Sequence, residues 1–117
     1  MKQNRHQFGF IFTQCPTAQN NQKTIKKSCR NFINEAAPYI AKSCNIPQEE
    51  IITDCYYDTK TKEVKGMLLV LKPTPESTID ALYYYGKTVW RSQKTAPHEF
   101  SLFIDEKLQS KQDSCLQ

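Results

Sequence analysis

Hydrophobic residues along this chain alternate between a period of two and a helical period, and each switch marks an element. In FGFIFT (8–13) Phe8, Phe10 and Phe12 fall on one face of a strand and Gly9, Ile11 and Thr13 on the other. From about 21 to 43 the apolar positions are Ile25, Cys29, Phe32, Ile33, Ala36 and Ile40, which recur at helical spacing. Two strand-like runs follow, over 49–57 and 63–72. The second, EVKGMLLVLK, is continuously apolar at MLLVL, which predicts a strand buried on both faces and central in its sheet. A helix over 75–92 buries Ile79, Leu82, Tyr83, Gly86, Val89 and Trp90, and HEFSLFID (98–105) is a last strand. The order is β-α-β-β-α-β. It predicts an α+β class, a sandwich of two helices and four strands.

Punctuation between the elements sharpens their ends. Asn20 or Asn21 is placed to cap the first helix. Pro38 lacks a backbone donor and predicts a kink or restart near Ala37, with a second short turn from Pro38 to Ser43. Asn45-Ile46-Pro47 ends it. The turn DTKTKE (58–63) contains no glycine, so its loop is expected to exceed two residues. Thr74-Pro75-Glu76 reads as a helix start, with Thr74 as the N-cap, Pro75 at the first helical position and an acid in the first turn. Gly66 predicts a bulge or a close backbone approach. Gly86 costs a helix about 1 kcal/mol against alanine, which predicts close packing on the sheet.

Length and composition fit one domain: 117 residues, 38% hydrophobic and 11% aromatic. An ordered core is expected over about 7–106, with polar tails at 1–6 and 107–117. The net charge of +4 is uneven. Residues 1–48 hold seven Lys or Arg and one acid, a net of +6, and the remainder nets −2. Lys23, Lys26, Lys27 and Arg30 lie away from the apolar stripe of the first helix and give it a cationic outer face. That face predicts an anionic partner; the plain alternative is a solvated helix surface. Tyr84 and Tyr85 fall beside the stripe of the second helix and are candidate protein-interface anchors.

Chemistry is sparse. Gly9, Gly66 and Gly86 stand in separate elements and build no phosphate loop. His6 and His98 have no metal or triad spacing, and Glu49-Glu50 reads as a strand entrance. The five cysteines, Cys15, Cys29, Cys44, Cys55 and Cys115, contain no two-residue spacing, so reduced thiols in a cytosolic or organellar matrix compartment are expected. The single redox candidate is Cys15-Pro16-Thr17-Ala18, a monothiol that would need a depressed pKa. No run approaches the roughly 20 apolar residues of a membrane span. The start has no Ser-rich amphipathic leader, so mitochondrial import would require an uncleaved internal signal. The chain is expected to be non-enzymatic, without cofactor or metal and without a small-molecule substrate.

Two resemblances carry further expectations. KGMLLVLK (65–72) resembles the central strand motif of RNA-recognition domains, which share this element order, but Met67 and Leu69 stand where that motif has base-stacking aromatics. FIFTQCP, NNQKTIKKSCRNFINEAAPYIAKSCN and EEIITDCYY together resemble the thioredoxin-like small subunits of mitochondrial ribosomes and respiratory complex I, nearest the large-ribosomal-subunit members. Arg30-Asn31-Phe32-Ile33, Asn45 and Ile51-Ile52-Thr53-Asp54 occupy the family's helix centre, exit and second strand. The resemblance implies a thioredoxin-like fold and a mitochondrial, non-catalytic structural subunit. Its partners would be ribosomal RNA and neighbouring subunits, with RNA phosphates held by Lys23, Lys26, Lys27 and Arg30. An accessory subunit of complex I, or a ferredoxin-like protein- or RNA-binding module, is the alternative. The family normally places two strands where this chain has only 63–72, and the strand at 98–105 suits a ferredoxin-like sheet.

Overall fold

The structure, a computed structural model, describes residues 4–93 and 98–105. Its elements are β1 (Arg5–Gln14), α1 (Gln22–Cys44), a 3-10 turn (Gln48–Glu50), β2 (Ile52–Asp58), β3 (Glu63–Pro75), α2 (Glu76–Arg91) and β4 (His98–Ile104). The α+β class and the β-α-β-β-α-β order are those expected from the periodicity. The strands form one sheet in the order β2-β3-β1-β4, with every neighbouring pair antiparallel. β3 therefore lies between β1 and β2, a split βαβ arrangement.

Register sorts the strand residues onto two unlike faces. Phe8, Phe10 and Phe12 point to one side and have no exposed surface. The Phe12 ring centroid lies 4.6 Å from that of Phe32 on α1 and 4.9 Å from that of Trp90 on α2, so both helices cover this face. Phe100 of β4 joins the same cluster, 5.0 Å from Phe10 and 5.8 Å from Phe32. The other face carries Ile11, Thr13, Tyr56, Lys65, Met67 and Phe103 and, among the described residues, has no helix over it. The continuous MLLVL run is thus central in the sheet but not buried on both faces. Leu68 and Val70 face the helices, Leu69 is buried on the open side, and Leu71 is 47% exposed. Edge protection and face coverage are separate properties of a strand, and the hydropathy run reported only the first.

Glycine matters at one crossing. Gly66 pairs with both Phe12 and Cys55 across the sheet. A Cβ there would overlap the Phe12 ring, so the position tolerates no side chain while the ring holds its place. Neither a bulge nor another backbone accounts for this glycine: what crowds it is the Phe12 ring and the Cys29 sulfur. Gly86 behaves similarly, since a Cβ on it would lie 2.7 Å from Cζ of Phe100.

Four local expectations need correcting. α1 runs unbroken through Pro38, with no restart near Ala37. Pro38 is exposed, and the carbonyl it deprives of a helical partner belongs to exposed Asn34. Thr74 does not cap α2. It lies in β3, is buried, and its hydroxyl donates to the Lys72 carbonyl at 2.9 Å. Pro75 takes the N-cap position with extended backbone angles, and the Glu76 N–H donates to the Asn4 carbonyl at 3.0 Å. β1 begins at Arg5, inside the stretch expected as a tail, and Glu49-Glu50 belong to the 3-10 turn. The expected C-terminal tail, Cys115 included, lies outside the described residues.

Candidate nucleic-acid interface

The cationic face of α1 is created by what the helix buries. Ile25, Cys29, Phe32, Ala36 and Ile40 have no exposed surface, which fixes the rotation of the helix on the sheet. Lys23, Lys27 and Arg30 are consequently exposed, and Lys26 is half-buried along its aliphatic stem. Asn21 starts the helix: its Oδ1 accepts from the Thr24 N–H at 2.9 Å, and its carbonyl accepts from the Ile25 N–H at 3.1 Å. The first turn carries no acidic residue, so nothing in it offsets the positive end of the helix dipole. Asn21, Gln22, Lys23, Lys26 and Arg30 line one open hollow of about 400 Å³, with Lys27 on the adjoining turn. Among the described residues none of these four cations forms an ion pair; the recorded pairs are Lys65 with Asp58 and His6 with Asp105. The structure brings together the four residues that the sequence placed on the outer face.

The tyrosines separate. Tyr84 is 67% exposed and its ring lies 5.7 Å from that of Tyr83. Tyr85 is half-buried and stacks on Tyr39 of α1 with centroids 4.1 Å apart and planes 27° apart. Burial, then the Glu35 carboxylate and Tyr39, push the Tyr85 phenol above its ordinary range. Tyr39 went unnoticed in the sequence because Pro38 suggested a break there.

The open sheet face holds a second hollow of about 210 Å³ lined by residues that include Tyr56, Glu63, Lys65 and Glu99. Its charges are of mixed sign, and Lys65 is bound to Asp58 at 2.9 Å. Cys15 is half-buried, with Sγ 3.9 Å from Glu63 Oε2. Burial, then Glu63 and Glu99, raise its thiol pKa. A reactive monothiol needs the opposite shift, so the environment of Cys15 works against that reading. Cys29 and Cys55, unconnected in sequence, meet over Gly66. No local signal marks that meeting, because it depends on the register of β2 against β3. Among the described residues no group of three or more His, Cys, Asp or Glu could hold a metal ion, and no helix is long and apolar enough to cross a membrane.

No family model and no curated protein matches the chain. Among solved structures it is similar to a phage SAM lyase in complex with S-methyl-5'-thioadenosine, at 11% identity and a TM-score of 0.47, over 89% of this chain and 84% of that one. It is also similar to CutA from Synechococcus elongatus, at 13% identity and a TM-score of 0.39, over 100% of this chain and 95% of that one. Neither is a mitochondrial ribosomal or complex I protein, and both likenesses are too distant to carry function across.

Proposed function

We propose that this chain is a non-catalytic subunit that docks the phosphate backbone of RNA on the N-terminal half of α1. The observation that carries the reading is the set of Lys23, Lys26, Lys27 and Arg30, four cations without an ion-pair partner among the described residues, gathered along the first three turns of one helix whose first turn carries no acid. Backbone phosphates are evenly spaced and call for such a charge surface rather than a shaped pocket, and contacts of this kind position a protein without selecting sequence. The assembly rests on the sequence resemblance alone: a mitochondrial ribosome, with complex I as the alternative.

The test is binding of a labelled single-stranded RNA across a salt series. Four phosphate contacts predict a slope of about −3 in log K against log salt. Changing all four residues to glutamine is expected to flatten that slope and weaken binding at least about tenfold at low salt. An unchanged slope in the variant would remove the reading. Sedimentation of the tagged protein with and without nuclease then addresses the assembly: co-migration with a ribosomal subunit that nuclease abolishes supports it, and absence from mitochondria discards it.

A second reading is favoured by Tyr84. A ring left 67% exposed beside the Tyr39–Tyr85 stack is a ready anchor for a protein partner. Binding through it would be insensitive to nuclease and would fall when Tyr84 is changed to alanine.

A further inference from the structure

Cys55 of β2 is the direct cross-strand partner of Gly66, and directly opposed residues stand about 4.5–5.5 Å apart at the side-chain level. Gly66 has no side chain, so the space over it is open to α1. Cys29 fills it: its Sγ lies 2.6 Å from the point where a Cβ on Gly66 would stand. One helical turn earlier, the Lys26 carbonyl lies 3.9 Å from Cys55 Sγ. Two thiols from separate elements therefore share one gap between helix and sheet. Cys29 has no exposed surface, whereas Cys55 is half-buried on β2, the edge strand, and solvent reaches it from that side.

We propose that Cys29 and Cys55 form an oxidisable dithiol, with Cys55 as the thiolate that attacks a peroxide and Cys29 as the thiol that resolves it. A reactive first thiol that solvent can reach, poised next to a resolving cysteine, is the arrangement redox-sensing pairs use. The electrostatics divide the roles in the same way. A hydrogen bond between the two sulfurs, followed by the charges of Arg30 and Lys26, lowers the Cys55 pKa against the opposing effects of burial and Asp54. The same sulfur–sulfur bond, then burial, pushes the Cys29 thiol far up. Cys29 thus keeps its proton and donates it.

The chemistry balances in two steps. The Cys55 thiolate attacks the peroxide O–O bond, giving Cys55 sulfenic acid and an alkoxide or hydroxide, which takes a proton from water. The Cys29 sulfur then displaces water from the sulfenic acid, its own proton leaving with the hydroxyl, and the Cys29–Cys55 disulfide forms. Two thiols lose two electrons, and the peroxide becomes one water and one alcohol or, from hydrogen peroxide, two waters. A small dithiol reverses the change by exchange. The site is independent of the RNA reading and survives its failure.

The test uses the full reduced chain, hydrogen peroxide as oxidant, and alkylation followed by peptide mass mapping. One equivalent of peroxide is expected to yield a Cys29–Cys55 cross-linked peptide while Cys15 and Cys44 remain alkylatable. Cys29→Ala is expected to stop at a Cys55 sulfenic acid that dimedone traps, and Cys55→Ser to leave Cys29 reduced. Because Cys29 is a core residue, a measurement on the unmutated chain stands beside these variants: iodoacetamide at neutral pH should label Cys55 on the order of tenfold faster than Cys44. Peroxide that leaves both thiols free, disulfides drawn indiscriminately from all the cysteines, or equal labelling of Cys55 and Cys44 would each overturn the proposal.

Discussion

Cys29 Sγ lies 2.6 Å from the place a Gly66 Cβ would take, so the seating of α1 on β3 depends on a missing side chain. The Phe12 ring would meet that Cβ as well. Gly66→Ala must therefore push ring and thiol aside within the buried core. The expected loss is about 1–3 kcal/mol, read as a lower urea midpoint at constant slope. A midpoint equal to that of the parent chain would show that Phe12 has room to move.

Phe32 joins the two helices to the sheet. Its ring stands 4.6 Å from Phe12, 5.5 Å from Trp90 and 5.8 Å from Phe100. Phe32→Ala is expected to cost about 3–5 kcal/mol, because three rigid ring neighbours cannot all collapse into the gap. Trp90 is the single tryptophan of the chain, so its fluorescence follows both the unfolding transition and the packing change. A loss below about 1 kcal/mol would mean that the core closes over the site.

The Tyr39–Tyr85 stack ties α1 to α2 at the surface, with centroids 4.1 Å apart. A double-mutant cycle with alanine at each position is expected to give a coupling of about 0.5–1.5 kcal/mol. The Tyr85 pKa is raised in the folded chain, so its contribution is full below the ordinary phenol range and is lost as the phenol ionises at higher pH. Tyr85→Phe should therefore remove part of the alkaline fall in stability, and additive single mutants would deny the stack any role.

Asp58 organises the β2–β3 hairpin. It accepts from the Lys60 N–H at 2.9 Å and the Thr61 N–H at 3.3 Å and pairs with Lys65 at 2.9 Å. The Lys65 pairing, then the two backbone donors, lower its pKa from 3.8 to about 2. A depressed carboxylate stabilises the fold above its unfolded value and loses that effect as pH falls through its folded value. Thermal melts of the parent chain should thus decline between about pH 4 and pH 2, and Asp58→Asn should decline less over that interval. Parallel pH profiles for the two chains would refute the assignment.

What was legible in the sequence is what neighbours along the chain decide. The alternation of Phe8, Phe10 and Phe12, the helical spacing from Ile25 to Ile40 and the Asn21 cap each depend on a few adjacent residues, and each reads true in the structure. The outward placement of Lys23, Lys26, Lys27 and Arg30 belongs with them, since burying one stripe of a helix exposes the other. Pro38 and Thr74 misled because their local preferences yielded to long-range terms. The contacts of α1 with the sheet outweigh one lost helical hydrogen bond, and β3 extends far enough to draw Thr74 into the strand.

Tertiary structure alone decided the rest. That Leu71 is exposed follows from both helices lying on one face of the sheet, and that Cys55 meets Cys29 follows from the pairing of β2 with β3. Strand order and register arise from contacts between residues far apart in the chain, each satisfied only when the others are. No window of adjacent residues carries that information, so the basic face could be read from the sequence and the thiol pair could not.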